Sequence, residues 1–190
     1  MTYAEMDAKL KSTLRSDRYL HSKGVESVAV ELAESLGADV EKARVAGLLH
    51  DLAKNMDKEK AEKLVSVLGV DEGIMENPGL WHGPVGAALL KEEYGVDDKE
   101  IYDAVFYHTV GRKNMSLLEK IIYVADLIEP GRDAYLDWSA PCREMAKKEI
   151  DEALVMITEK SIGSLFKRKM TIHPSTLDVR NEALRRIQSK

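Results

Sequence analysis

Residues 46–54 read Ala-Gly-Leu-Leu-His-Asp-Leu-Ala-Lys, and no other stretch says as much about the fold and chemistry of the chain. The apolar residues have the spacing of a buried helix face, and His50 and Asp51 close the apolar run. An imidazole or carboxylate on a buried face costs several kcal/mol unless another group pairs with it. The stretch therefore predicts a helix that presents polar groups to a buried site.

Other predicted apolar helix faces also contain a histidine or an aspartate. His21 lies one turn before an apolar stripe, His82 opens a predicted helix, His108 shares a face with apolar residues, and Asp126 interrupts residues 120–128. A single such histidine is compatible with a core side chain bonded to the backbone. Asp, however, is rarely buried without a partner. Exceptions on several separate helices therefore indicate one shared cation.

The types of these side chains indicate which ions would fit. Two imidazoles and two carboxylates suit iron, manganese, zinc or another first-row metal ion. The set contains no thiolate, which argues against a structural zinc site. We therefore predict a metal centre that leaves coordination positions open for water and substrate, as hydrolysis requires.

Size and composition limit the other classes of function. The chain has 190 residues, a net charge of −5 and a single cysteine, Cys142. One domain is the default at this length, and the acidic balance argues against a nucleic-acid partner. A lone cysteine fits a reducing cytoplasm, and neither a secretory signal nor a membrane span is visible. We expect a cytoplasmic protein without a membrane partner, and the sequence leaves open whether it forms a homodimer.

Helical periodicity runs along the whole chain, which predicts an all-α, single-domain helical bundle over residues 1–190. We expect the metal-site core at about 18–130 and C-terminal helices at 143–188 that complete the ligand pocket. The predicted features with boundaries are a helix over about 39–54, an N-cap at Asp57, a loop over 73–81, an N-cap at Asp97, a capping box of Ser116 and Glu119, one long helix over about 143–167, and a final helix over 174–187.

Basic residues crowd the segments that carry the predicted ligands. Arg18, Lys54, Arg112 and Arg132 each lie within a few positions of one such segment. Together they are what neutralisation of a phosphate chain requires. His173, in a turn before a proline, is either a substrate contact or a surface residue.

The order His21, His50-Asp51, Asp126 resembles the ligand order of the HD-domain metal-dependent phosphohydrolases. Further stretches narrow the resemblance to the bacterial YqeK-type HD hydrolases, which cleave diadenosine tetraphosphate symmetrically into two ADP. These stretches are residues 46–54, 80–87 (Leu-Trp-His-Gly-Pro-Val-Gly-Ala), 107–112 (Tyr-His-Thr-Val-Gly-Arg), 116–126, 128–132 (Ile-Glu-Pro-Gly-Arg) and 172–174 (Ile-His-Pro). The resemblance covers about residues 18–181.

The resemblance implies a role for each matching position. His21, His50, Asp51 and Asp126 would hold a metal ion, with iron the first expectation and manganese, cobalt or zinc as alternatives. A second ion would take His82 and His108. The residues expected to contact the nucleotide are Arg18, His21, His82, His108, Thr109, Asp126, Arg132, Lys169, Met170, Thr171, Ile172, His173 and Pro174.

The expected reaction is attack of a metal-bound water on a β-phosphorus of the tetraphosphate. Asp51 or a neighbouring imidazole would accept the water proton, and Lys54, His82, His108 and Arg132 would stabilise charge on the phosphate oxygens. Two alternatives stay open: an HD phosphodiesterase or nucleotidase acting on another nucleotide, and a nucleotide sensor without catalysis. A helix-turn-helix DNA-binding protein fits less well, because the chain is acidic and lacks a basic helix.

Overall fold

The computed structural model describes residues 1–189, which form α-helices and turns and contain no β-strand. The single-domain, all-helical expectation is confirmed. The α-helices are α1 (Tyr3–Thr13), α2 (Ser16–Leu36), α3 (Val40–Leu49), α4 (Lys58–Val65), α5 (Glu72–Met75), α6 (His82–Tyr94), α7 (Lys99–Tyr107), α8 (Leu117–Ile128), α9 (Ser139–Ala146), α10 (Ile150–Lys167) and α11 (Pro174–Gln188). Across residues 1–189, no helix combines the length and apolar composition needed to cross a membrane.

Helix α8 lies at the centre of the bundle, packed against α2, α3, α7, α9 and α10. It is apolar almost all round, as a helix surrounded by other helices must be. Its start is fixed by the predicted capping box: Ser116 Oγ accepts the amide of Glu119, and the Glu119 carboxylate accepts the amide of Ser116. The central position of α8 brings Asp126, near its end, close to the neighbouring helices.

Helices α2 and α3 pack closely because Gly47 faces α2. A Cβ at Gly47 would lie 2.8 Å from Glu26 Cα and 3.2 Å from Ala29 Cβ. The glycine therefore allows the two backbones to approach, and this approach sets the distance between His21 on α2 and His50 at the end of α3.

The helix predicted over 39–54 is shorter in the structure. Helix α3 ends at Leu49, His50 is its C-cap, and the chain continues in tight turns. The amides of Leu52, Lys54 and Met56 bond to carbonyls three residues earlier rather than four. Residues 52–53 are apolar because these turns are packed against the rest of the protein. Sequence periodicity alone predicts a helix there.

The long helix predicted over 143–167 is also wrong, because the segment forms two helices. Helix α9 ends at Ala146, and α10 begins at Ile150. The break falls in Lys147-Lys148-Glu149, which contains neither Gly nor Pro. The sequence therefore gives no local signal for it.

Three smaller differences concern the cap of one helix, the content of one loop and one helix that was not predicted. The cap of α7 is Asp98, whose carboxylate accepts the amides of Glu100 and Ile101, whereas Asp97 pairs with Lys91. The predicted loop at 73–81 contains part of α5 and a 3-10 turn at Pro78–Leu80. Helix α1 was not predicted.

Candidate metal centre

The four histidines and two aspartates predicted as ligands converge in the structure, and most of them come from the ends of helices. His50 and His108 are the C-caps of α3 and α7, His82 is the first residue of α6, and Asp126 lies in the last turn of α8. His21 comes from the first half of α2. Because the backbone turns away from the packed face at the end of a helix, residues there can direct polar groups into one buried space.

His21, His50, Asp51 and Asp126 form the first group of ligand atoms. The Nε2 atoms of His21 and His50 are 3.3 Å apart, and His21 Nε2 is 3.0 Å from Asp126 Oδ1. His50 Nε2 lies 3.6 Å from Asp51 Oδ2 and 3.9 Å from Asp126 Oδ1. Atoms that share an ion at about 2.1 Å are separated by about 3 to 3.5 Å. The two shorter distances lie in this range, and the two longer ones exceed it by at most 0.4 Å.

Asp51, His82 and His108 form a second group around the other oxygen of Asp51. His82 Nε2 lies 3.2 Å from Asp51 Oδ1 and 3.1 Å from His108 Nε2, and His108 Nε2 lies 3.8 Å from Asp51 Oδ1. The two oxygens of one carboxylate thus face two separate histidine groups. Within residues 1–189, the clusters compatible with metal coordination are His21–His50–Asp51 and Asp51–His82–His108, and Asp126 joins the first through its contact with His21.

Hydrogen bonds at the outer nitrogen fix the tautomer of three histidines. His50 Nδ1 is 2.8 Å from the Gly47 carbonyl, and His108 Nδ1 is 2.7 Å from the Val105 carbonyl. A carbonyl only accepts, so each Nδ1 carries the proton and each Nε2 turns a lone pair toward the cluster. His21 Nδ1 donates in the same way to Glu129 Oε1 at 3.1 Å.

Glu129 is the functional residue that the sequence analysis missed. It is buried and orients His21, as partners behind the ligands of a metal site do. The Glu-Pro-Gly-Arg stretch at 129–132 belongs to the family resemblance, but nothing in its sequence shows that the glutamate reaches back to α2.

Electrostatics keep His50, His82 and the two aspartates in the protonation states that a metal requires. At His21, burial is outweighed by the hydrogen bonds to Asp126 and Glu129, which raise its pKa above the usual value. Burial lowers the pKa of His50 to about 4 and that of His82 to about 3, so both imidazoles are neutral. Burial alone would raise the pKa of Asp51, but the neighbouring imidazoles and the Lys54 ammonium hold it below its ordinary value. Burial likewise opposes ionisation of Asp126, and its bond to His21 and the nearby Arg132 guanidinium hold its pKa well below the usual range.

The cluster therefore fits a divalent metal site. Lone pairs of buried histidines face one another and face ionised carboxylates at 3.0–3.9 Å, an arrangement that a cation between them stabilises. The donors are nitrogen and oxygen alone, as a hydrolytic first-row metal site requires.

Three of the four predicted cations surround this cluster. Arg18 Nη1 is 2.9 Å from Asp51 Oδ2, Arg132 Nη2 is 2.8 Å from Asp126 Oδ1, and Lys54 Nζ is 3.1 Å from His82 Nε2. Arg112 does not join them. It pairs with Glu119 and Asp103 and ties α7 to α8, so its predicted place near a phosphate chain is wrong.

Two of the cavities near the cluster are lined by residues predicted to contact the nucleotide. A larger cavity of about 600 Å³ is lined by Thr109 and by residues 170–174, together with the apolar Leu80 and Leu165. Lys169 precedes this loop with a left-handed backbone (φ 54°). His173 lines the cavity, and its Nε2 is 2.9 Å from Asp71. A smaller cavity of about 380 Å³ is lined by Arg18, His21 and Arg132.

Comparison with known proteins places this site in a family. The family model described as HD domain matches residues 18–131. The symmetrical bis(5'-nucleosyl)-tetraphosphatase of Bacillus subtilis (strain 168) is 40% identical over 93% of this chain and 94% of its own. That of Staphylococcus aureus (strain NCTC 8325 / PS 47) is 34% identical over 90% of this chain and 89% of its own.

A solved structure agrees with these relatives. It is described as a predicted HD superfamily hydrolase involved in NAD metabolism from Clostridium acetobutylicum, and it is 38% identical to this chain. The two superpose with a TM-score of 0.91 over 98% of each chain. The chain belongs to the HD domain family, as its ligand order and fold predict.

Proposed function

We propose that the chain is a metal-dependent hydrolase that cleaves dinucleoside tetraphosphates symmetrically, with diadenosine tetraphosphate and water giving two ADP. The observation that carries the proposal is the placement of Asp51 between two histidine groups, with Arg18, Lys54 and Arg132 around them. A metal site surrounded by fixed cationic side chains can bind a polyphosphate chain and neutralise its charge. The activity named for the Bacillus subtilis and Staphylococcus aureus relatives supports this choice of substrate.

The proposal assigns His21, His50, Asp51 and Asp126 to a first ion, and His82 and His108, with Asp51, to a second. Iron is the proposed metal, and manganese, cobalt and zinc accept the same nitrogen and oxygen donors. When bound, the metal lowers the pKa of a coordinated water and neutralises charge on phosphate oxygens. The proposal includes a cytoplasmic location, which the lone buried thiol of Cys142 fits.

The side chains around the cluster divide the remaining work. Arg132 and Lys54 hold oxygens of the phosphate chain, and His82 and His108 face the phosphorus that is attacked. The water oxygen adds to one β-phosphorus, the bond from that phosphorus to the central bridging oxygen breaks, and the bridging oxygen leaves with the other ADP. Asp51, or an imidazole beside it, accepts the proton of the water. Thr109 and residues 169–174 contact the nucleoside.

Product analysis tests the proposal. The purified protein, loaded in turn with iron, manganese and cobalt, is incubated with diadenosine tetraphosphate in ¹⁸O-labelled water, and the products are separated by anion exchange. ADP as the sole product, with one ¹⁸O in half of the molecules, supports symmetrical hydrolysis. AMP with ATP would indicate a different cleavage, and saturable ADP binding without turnover would indicate a sensor.

Two variants separate the metal from the substrate contacts. His50→Ala should lose metal and turnover together, measured by elemental analysis and by the product assay. Arg132→Ala should keep its metal and bind the substrate more weakly. Full turnover in His50→Ala would contradict the proposed centre.

A further inference from the structure

The smaller cavity presents two exposed apolar side chains beside the metal centre. Leu20 and Tyr135 line it together with Arg18 and Arg132, and they are 67% and 63% exposed. Large exposed apolar side chains next to fixed guanidinium groups are typical of a surface for a ligand that has both a flat apolar part and an anionic part. The reaction proposed above assigns neither Leu20 nor Tyr135 a role.

The ring of Tyr135 is held in place relative to the metal ligands. Its hydroxyl accepts a hydrogen bond from Arg132 Nη1 at 3.0 Å, and its amide donates to the Arg132 carbonyl at 3.1 Å. Arg132 in turn donates to Asp126 Oδ1 at 2.8 Å, and that oxygen is 3.0 Å from His21 Nε2. Because these contacts are continuous, a base stacked on Tyr135 would direct its phosphates toward the cluster.

The opposite side of the cluster leads to the larger cavity. Asp51 contacts Arg18, which lines the smaller cavity, through Oδ2, and it contacts His82 through Oδ1. His82 contacts His108, and the next residue, Thr109, lines the larger cavity. The metal ligands are therefore connected, by direct contacts or by a neighbouring residue, to the lining of both cavities, and each cavity has apolar lining residues.

This inference rests on the proposed function, because it uses a substrate with two identical ends. We propose that the Leu20–Tyr135 cavity binds the second nucleoside of a dinucleoside tetraphosphate, with its base stacked on the Tyr135 ring, while the first nucleoside occupies the larger cavity. The central phosphoanhydride then lies at Asp51, midway between the two nucleosides. Equal products follow because the two cavities position the middle of the phosphate chain at the reacting site.

Steady-state kinetics with two substrates test this assignment. Diadenosine tetraphosphate has two nucleosides, and adenosine 5'-tetraphosphate has the same phosphate chain with one nucleoside, which takes the larger cavity. Tyr135→Ala should raise KM for the dinucleotide about tenfold, the scale of one lost base–aromatic stack, and raise KM for the mononucleotide much less, only through the lost bond to Arg132. Tyr135→Phe keeps the ring and should recover most of that loss.

A second exposed aromatic residue provides the control. Phe166 is 76% exposed and lines neither cavity, so Phe166→Ala should not change KM for either substrate. Equal effects of Tyr135→Ala on both substrates would overturn the inference, because Tyr135 would then act only through Arg132. Failure of the wild-type protein to form ADP would instead overturn the proposed function itself.

Discussion

At the scale of single residues, Glu129 orients His21, one of the proposed metal ligands. Its Oε1 accepts the Nδ1 proton of His21, and its Oε2 accepts the Gly131 amide at 2.6 Å, so both oxygens are engaged. The carboxylate therefore holds the ring of His21 in one orientation and increases the basicity of Nε2.

We expect Glu129→Gln to lower metal affinity about 10–100-fold, the usual effect of losing such a partner. Competition with a chromophoric chelator measures the change. Glu159→Gln is the matched control, since Glu159 pairs with Arg180 on the surface and should leave the affinity as it is. Wild-type affinity in Glu129→Gln would mean that another group orients His21.

The single thiol gives a prediction from its pKa. Cys142 is fully buried on α9, and burial raises its pKa to about 11. Since the thiolate is the reactive form, the folded protein should resist a thiol reagent at pH 8, while the unfolded chain reacts at once. A raised pKa also means that the stabilising effect of the neutral thiol is lost as pH rises toward 11. Rapid labelling of the native protein at pH 8 would contradict this.

The sequence pattern predicted the clustered histidines and aspartates better than the residues that surround them. His50, Asp51 and Asp126 could be found because polar side chains on apolar helical stripes require a partner. Glu129 and Tyr135 could not be found, since both lie in polar sequence around a turn where such residues are ordinary. Only the packing of this turn against α2 gives them a role.

At the scale of elements, the ligands depend on how closely helices approach. The separation of α2 and α3 rests on Gly47, because a side chain there would meet the backbone at Glu26. Helix boundaries were predicted where caps mark them, as at Ser116, and were missed at 147–149, where the chain changes direction without a glycine or proline. A break of that kind comes from tertiary packing.

We expect Gly47→Ala to destabilise the protein by about 1–3 kcal/mol, because the helices must move apart to admit the methyl group. Urea unfolding measures the change. Gly163→Ala on α10 is the control. Its added Cβ would meet nothing within 4 Å, so removing a helix glycine there should stabilise the fold by up to about 1 kcal/mol. Equal effects of the two substitutions would show that the α2–α3 approach is not limiting.

At the scale of the whole molecule, a metal held by the proposed ligands would link five helices. His21, His50, His82, His108 and Asp126 come from α2, α3, α6, α7 and α8 or from their caps. A bound ion therefore stabilises the folded bundle by mass action, since the unfolded chain does not hold these ligands together.

We expect removal of metal by a chelator to lower Tm by about 5–10 °C, which corresponds to roughly 2.7 kcal/mol at a free metal concentration of about 100 times Kd. Differential scanning calorimetry measures the shift, and added Mn²⁺ should reverse it. His50→Ala should not respond to either treatment. An unchanged Tm in the wild-type protein would mean that the bundle is equally stable without the ion.

Because the carboxylate of Asp51 faces both histidine groups, one oxygen to each, the two proposed ion positions are not independent. The position near His21 has Asp126 as a further carboxylate, whereas the position near His82 has the Lys54 ammonium beside it. The first equivalent of metal should therefore fill the position near His21, and its charge then weakens the attraction for a second ion. Occupancy should rise in two separate steps as metal is added, because the two positions differ in charge and the first ion repels the second.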